Sequence, residues 1–66
     1  MTPTQFRDAI DKAGLSQVGT ARLLGADPRT ARRWALGESE IPDSVAILLR
    51  LLITKKITTK DVERVK

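Results

Sequence analysis

Residues 17–36, QVGTARLLGADPRTARRWAL, combine two helical patterns with a turn signal between them. Gly25 ends the first pattern, because a sharp turn requires a residue that adopts a left-handed conformation without steric cost. Asp27 then provides a helix cap, and Pro28 occupies the first helical position, where proline is favoured. Ala21 is small enough for two helices to cross closely. The segment therefore predicts two helices, 2 and 3, joined by a tight turn.

Start signals for three more helices flank this segment. Residues 2–5, TPTQ, form a capping box with proline at the first helical position, and we expect helix 1 over about 3–12. Helix 4 is expected over about 42–55, and Thr58, with Asp61 three residues later, opens a short fifth helix. No strand pattern, internal repeat or linker is found. The sequence therefore predicts an all-α, compact five-helix domain that spans the 66-residue chain as a single unit.

The spacing of apolar residues predicts the buried face of each helix. Ser16 is the expected cap of helix 2, and Gly37 is the expected end of helix 3. Helix 4 is apolar almost all round, which suits the centre of a small bundle. The expected inward residues are Phe6 and Ile10 in helix 1, Val18, Ala21 and Leu24 in helix 2, Ala31 and Trp34 in helix 3, and Val45, Ile47, Leu48, Leu49, Leu51, Leu52 and Ile53 in helix 4.

Composition bears on the chemistry that the chain can perform. A domain of this length buries only about 60% of its unfolded surface and has little material for an active-site cleft. Cysteine and histidine are both absent, which removes disulfides, thiolate nucleophiles and the usual soft metal ligands. No paired-carboxylate constellation is present. We therefore expect no enzymatic activity, no cofactor and no metal.

Two sequence features bear on location. The N-terminal residues, MTPTQFRDAID, lack the basic-then-apolar order of a signal peptide. The longest apolar stretch is well short of the roughly 20 residues that a membrane span requires. We therefore expect a soluble, cytoplasmic protein with no membrane partner.

Positive charge is concentrated in two parts of a chain whose net charge is +4 and whose pI is near 10.1. Residues 29–37 hold three arginines and no acid, whereas residues 38–49 hold three acids and no base. The tail, residues 50–66, holds six bases against two acids and is interpreted first as solubilising. Such clusters are either solvated helix faces or a surface for a polyanion. Composition alone leaves both interpretations open.

Residues 15–42, LSQVGTARLLGADPRTARRWALGESEIP, resemble the helix-turn-helix of the lambda-repressor-like, or XRE-type, DNA-binding family. With helix 1 before and helices 4 and 5 after, the resemblance covers nearly the whole chain. It implies a transcription regulator, such as a bacterial or phage repressor, that sets helix 3 in the major groove of double-stranded DNA and binds as a two-fold homodimer. The matching residues are Leu15, Ser16, Gln17, Ala21, Leu24, Gly25, Trp34 and Gly37.

The resemblance also implies roles for individual residues. Gln17, at the start of helix 2, is expected to bond a backbone phosphate, the alternative being an ordinary exposed residue. Arg29 and Arg33, four positions apart, are the candidate base readers, because the planar arginine fork fits guanine O6 and N7. A phosphate contact is the competing role for Arg29. Arg32 is the candidate phosphate clamp, and Thr30 is expected to touch the backbone or a thymine methyl.

Three features depart from the family pattern. Thr20 replaces a large aliphatic residue, which predicts thinner packing of helix 2 on the core. Pro28 stands where many relatives carry a base-reading side chain, so base readout moves to the arginines that follow. The loop after helix 3 carries Glu38 and Glu40 where relatives are often basic. This loop either faces away from the DNA backbone or weakens binding.

Some features allow competing interpretations. Trp34 would stack on a base in a single-strand binder, but its spacing from the inward-facing Ala31 favours core packing. Asp27 would accept from cytosine, but helix capping explains it more simply. Helix 4 has more apolar surface than so small a core needs, and we expect part of it to form a homodimer seam with Ile57, Val62 and Val65.

Two functions other than DNA regulation follow from the same residues. The basic face of helix 3 would also suit a protein-interaction module that grips an acidic partner. An antitoxin that binds a toxin and represses its own operon is a third interpretation, and it is compatible with the first. Among the three, the resemblance favours the sequence-specific DNA-binding transcriptional regulator.

Overall fold

The computed structural model describes residues 1–65 and contains five α-helices. No β-strand occurs in these residues, which confirms the predicted all-α class. The Cα radius of gyration is 10.7 Å, close to the roughly 11 Å expected for a globule of this length. The helices are α1 (Pro3–Lys12), α2 (Gln17–Leu24), α3 (Pro28–Leu36), α4 (Asp43–Ile53) and α5 (Thr59–Arg64).

The predicted helix caps form. The Thr2 hydroxyl accepts from the Gln5 amide at 3.1 Å, while the Gln5 side chain accepts from the Thr2 amide at 2.9 Å. Thr58 and Asp61 make the same reciprocal pair at 3.2 and 2.9 Å. The Ser16 hydroxyl accepts from an amide in the first turn of α2 at 2.9 Å. These bonds satisfy amides that lack partners within the helix, and so they set where α1, α2 and α5 begin.

The end of α4 differs from the sequence prediction by two residues. The helix was expected to reach Lys55 but ends at Ile53, with Thr54 as its C-cap. The Thr54 hydroxyl donates to the Arg50 carbonyl at 2.8 Å, and Lys55 adopts a left-handed conformation with φ of 60°. Because the amides of Lys55 and the following residue turn back onto carbonyls of the last helical turn, the helix cannot continue.

An aromatic pair forms the centre of the core. Phe6 of α1 is fully buried, and its ring meets the edge of Trp34 of α3 at a centroid distance of 5.8 Å and an interplanar angle of 74°. Edge-to-face pairs of this kind are favourable beyond the area that they bury. Leu49 of α4 is also fully buried. Trp34 is therefore a core residue, in agreement with the packing interpretation.

The buried face of α2 is not the one that the sequence predicted. Val18 was expected to face inward but is 46% exposed, whereas Thr20 is fully buried. The Thr20 hydroxyl donates to the Ser16 carbonyl at 2.8 Å, so its burial leaves no polar group unsatisfied. A threonine whose hydroxyl is bonded in this way can be buried without cost to its polar group. The inward face of α2 therefore consists of Thr20, Ala21 and Leu23, and Leu24 is half-buried.

The prediction that α4 occupies the centre of the bundle is wrong. Ile47 is 55% exposed and Leu51 is 36% exposed, while Val45, Leu49 and the other buried residues of α4 face the core. The helix packs mainly against α1, so only one of its sides is covered. The other four helices of so short a chain do not supply enough surface to cover α4 on all sides, and α4 therefore lies at the edge of the domain.

The first helix holds the C-terminal half of α3. Besides the aromatic pair, the Arg7 guanidinium donates to the Ala35 carbonyl and to the Thr4 hydroxyl. Ala35 lies in the last turn of α3, where carbonyls have no amide partner within the helix. A cation at this end also interacts favourably with the helix dipole. Arg7 thus fastens α3 to α1 outside the apolar core.

Two glycines with the same backbone conformation permit a matched prediction. Gly25 has φ of 70° and Gly37 has φ of 78°, so alanine at either position is expected to cost about 1–2 kcal/mol of folding free energy. A Cβ at Gly37 would also lie 3.1 Å from Cγ of Pro3, whereas a Cβ at Gly25 would meet nothing within 4 Å. Urea unfolding should therefore show Gly37→Ala to be less stable than Gly25→Ala. Equal losses would contradict this contact between α1 and the end of α3.

Candidate nucleic-acid interface

The connection between α2 and α3 contains the left-handed glycine that the sequence predicted. Gly25 is left-handed, with φ of 70° and ψ of 25°, and its amide turns back onto the last carbonyls of α2. The Ala26 amide donates to the Ala21 carbonyl at 2.8 Å. Ala21 and Ala31 are both fully buried, and α2 and α3 form the most extensive helix–helix contact of the fold. Small side chains and a left-handed glycine thus fix the position of α3 relative to α2.

The beginning of α3 is organised by Asp27. Its carboxylate accepts from the Arg29 amide at 2.8 Å, which confirms the predicted capping role. The same carboxylate oxygen lies 3.6 Å from Nε of Arg29. The Arg29 side chain is nevertheless 84% exposed. Because an exposed ion pair of this kind contributes at most about 1 kcal/mol, Arg29 can leave Asp27 for another anion at little cost.

Three arginines lie on the outward face of α3. Arg29, Arg32 and Arg33 are all exposed, while Ala31, Trp34 and Ala35 face the core. At 100° per residue, the three arginines fall within about 100° of one another around the helix. The structure therefore brings together, on one face, the cationic residues that the sequence analysis selected.

Leu36 shares this face and was missed by the sequence analysis. It is 56% exposed, and it stands seven residues after Arg29, four after Arg32 and three after Arg33. These spacings place it beside the arginines on the helix surface. The heptad spacing from Arg29 was the available signal. The exposed face of α3 is thus basic with an apolar end, a combination that can contact both polar base edges and methyl groups.

The two remaining predicted residues are less exposed than the arginines. Gln17 is half-buried and is the first residue of α2, directly after the Ser16 cap. Thr30 is half-buried between the outward and inward faces of α3. Gln17 therefore belongs to a different helix from the arginines. It stands among the first amides of α2, which carry partial positive charge.

The far end of α3 is acidic. Gly37 ends the helix in a left-handed conformation, and the Glu38 amide donates to the Arg33 carbonyl at 2.9 Å. This bond fixes the backbone of Glu38 within one turn of the basic face. Glu38 and Glu40 are both exposed. The charge along α3 is consequently uneven, with cations along the helix and carboxylates just beyond its C-terminus.

Several features bear on other classes of site. In residues 1–65, no cluster of three or more acidic side chains is arranged to hold a metal ion. No buried side-chain nitrogen or oxygen in this part of the chain lacks a hydrogen-bond partner. None of the helices described is both long enough and apolar enough to cross a membrane.

Comparisons of the chain with protein-family models, with curated proteins and with solved structures find no match. The geometry of α2 and α3 is therefore the basis for assigning a function. The described residues form a small all-helical domain in which the exposed, arginine-rich α3 packs against α2.

Proposed function

We propose that the protein is a sequence-specific, double-stranded DNA-binding transcriptional regulator of the lambda-repressor-like type. In this proposal α2 and α3 form a helix-turn-helix, and α3 enters the major groove of an operator. The observation that carries the proposal is the single exposed face of α3 with Arg29, Arg32 and Arg33 on it. A helix of about 10 Å diameter that presents such a face fits the width of the major groove.

Arg29 and Arg33 are the base readers in this proposal. They lie one helical turn apart on the exposed face, and each can offer two parallel N–H donors to guanine O6 and N7. Pro28 has no donor to offer at the preceding position. Leu36, on the same face, supplies an apolar surface for a thymine methyl. Readout then depends on three side chains of α3, and their spacing limits it to a few base pairs.

In this proposal, contacts with the DNA backbone hold α3 in position in the groove. Gln17 at the start of α2 and Arg32 on α3 bind phosphates, and Thr30 touches the backbone at the edge of the groove. Such contacts position a protein on the duplex without reading its sequence. Because one small domain makes few base contacts, we propose that two copies bind a palindromic site as a homodimer in the cytoplasm, which multiplies affinity and specificity.

The acidic loop weakens the contact of the C-terminal end of α3 with DNA. Glu38 and Glu40 are exposed and lie just beyond the helix, where they repel phosphates. This repulsion favours an orientation in which the N-terminal part of α3 lies deepest in the groove. The first turn of α3, with Arg29, is then the part closest to the bases.

Selection of binding sites from random duplexes tests the proposal. We expect a short enriched motif containing guanines, repeated with two-fold symmetry at a spacing of about one helical turn. Binding to the selected duplex should fall steeply with the logarithm of salt concentration and should survive competitor DNA. Failure to enrich any motif, together with binding that competitor DNA abolishes, would overturn the proposal in favour of an acidic protein partner.

Gln17→Ala and Arg32→Ala form a matched pair for the phosphate contacts. Each variant should lower the affinity for the selected duplex and for unrelated duplexes by a similar factor, because phosphates carry no sequence information. Arg32→Ala should also reduce the salt slope by about 1, since one counterion fewer is released. Gln17 is neutral, so its removal should leave the slope unchanged. Salt titrations followed by fluorescence anisotropy distinguish these outcomes, with Val18→Ala as the control. A loss of affinity confined to the selected duplex would contradict the assignment of Gln17 and Arg32 to phosphates.

A further inference from the structure

The outer face of α4 carries apolar side chains that nothing in the domain covers. Ile47 is 55% exposed and Leu51 is 36% exposed, although both belong to the most apolar helix of the chain. They lie four residues apart and therefore one turn apart on the same face. Ser44 and Thr54 continue this face at its two ends, and both are exposed. We call these four residues the α4 stripe.

The α4 stripe is symmetric about position 49. An antiparallel copy of α4 related by a two-fold axis at this position places Ile47 opposite Leu51 of the second copy, and Ser44 opposite Thr54 of the second copy. Each contact then occurs twice, as two-fold symmetry requires of a self-complementary surface. The two central pairs join apolar side chains, and the two outer pairs join small hydroxyl side chains.

The charges at the ends of α4 suit the same arrangement. Asp43 begins the helix, whereas Arg50 lies in its last turn and Lys55 just beyond it. All three side chains are exposed. Antiparallel pairing brings Asp43 of each copy towards the basic end of the other, and it opposes the two helix dipoles. A parallel pairing would instead place like charges together at both ends.

From these observations we infer that the α4 stripe binds a second copy of this chain, with the two α4 helices antiparallel about position 49. The inference rests on the proposed function in one respect, because it assigns the surface through which the proposed homodimer forms. It also revises the expected seam. Val62 is buried in the core and is not available for a partner, and Val65, at 84% exposure, directly follows α5 and lies outside the stripe.

The small area of the α4 stripe predicts weak dimerisation. Two short helices that meet along two turns bury less than the roughly 1,200–2,000 Å² of a stable specific interface. The free protein should therefore dimerise only at high concentration. On a palindromic duplex the second copy is held nearby, so a weak contact of this kind becomes effective.

Sedimentation equilibrium over a wide range of protein concentration tests the surface in the absence of DNA. The wild-type chain should shift from monomer towards dimer as its concentration rises, and Ile47→Glu and Leu51→Glu should remain monomeric. Both residues are exposed, so circular dichroism should show that these variants stay folded. Val65→Glu, which adds the same charge at the C-cap of α5, is the control and should dimerise like the wild type.

Cysteine pairing tests the antiparallel register, and the chain has no cysteine of its own. Ile47→Cys and Leu51→Cys, mixed in equal amounts, should form a mixed disulfide faster than either variant alone forms its own. The two positions lie opposite each other in the proposed pair, whereas identical positions are offset by about 6 Å along the helix. Faster pairing of identical variants would overturn the register.

The remaining outcomes distinguish failure of this inference from failure of the proposed DNA binding. A monomer at every concentration and on the selected duplex would overturn the inference while leaving DNA binding intact. Loss of dimers in Val65→Glu but not in Ile47→Glu would transfer the interface to the C-terminal end of α5 and overturn the inference as well. Dimerisation through α4 without any DNA binding would support the inference and overturn the proposed function.

Discussion

Replacement of Trp34 by alanine is expected to lower the free energy of unfolding by about 3–5 kcal/mol. Trp34 is buried, and its ring edge meets the fully buried Phe6, so the truncation removes both burial and an aromatic pair. Small domains have only about 5–15 kcal/mol in total, and a chain of 66 residues lies near the lower end. We therefore expect Trp34→Ala to be largely unfolded at moderate urea concentrations.

Urea titration followed by far-ultraviolet circular dichroism measures this effect without relying on the only tryptophan. Trp34→Phe keeps an aromatic ring and should lose clearly less stability than Trp34→Ala. Leu36→Ala is the matched control on the same helix, because Leu36 is 56% exposed and its truncation should change stability by no more than about 0.5 kcal/mol. A Trp34→Ala variant as stable as Leu36→Ala would refute the central position of this ring.

Arg33→Ala and Arg29→Ala should each reduce affinity for the selected duplex by about 1–3 kcal/mol, or roughly 5-fold to 150-fold. A fork of two hydrogen bonds to guanine discriminates between bases, so each variant should also relax the preference at one base pair. Affinity for unrelated duplex should fall much less. Arg29 gives up only an exposed contact with Asp27 when it binds a base, so its loss should lie in the same range as that of Arg33.

Competition binding against a panel of single-base variants of the selected duplex measures both effects. Arg64→Ala on α5 is the matched control, since it removes the same charge from an exposed position outside α3. It should change affinity only slightly and equally on all duplexes. If both α3 variants lose affinity uniformly across sequences, Arg29 and Arg33 are phosphate contacts and not base readers.

Local signals in the sequence account for most of the helix boundaries. Capping boxes at Thr2 and Thr58 and left-handed glycines at Gly25 and Gly37 act within a few residues, so they are visible in any chain that contains them. The end of α4 escaped prediction because no glycine marks it. Lys55 takes the left-handed conformation there, and a lysine gives no such signal in sequence.

The arginines on the exposed face of α3 could also be predicted from the sequence. Helical periodicity alone places Arg29 and Arg33 on one face, and the inward positions of Ala31 and Trp34 require that face to be outward. Leu36 also lies on this face, but an apolar side chain carries no charge by which a surface for a polyanion is recognised in sequence. The Arg7 bond to the last turn of α3 was not predictable, since the two partners lie 28 residues apart.

The sequence by itself determined the number of helices, their starts and the concentration of arginines on α3, because caps, turns and periodicity depend on neighbouring residues. Only the tertiary structure decided which apolar residues are covered. Thr20 is buried while Val18 and Ile47 are exposed, although threonine is the least hydrophobic of the three. Burial depends on where other helices lie, and the packing of α1 against α3 and α4 leaves one side of each of those helices open.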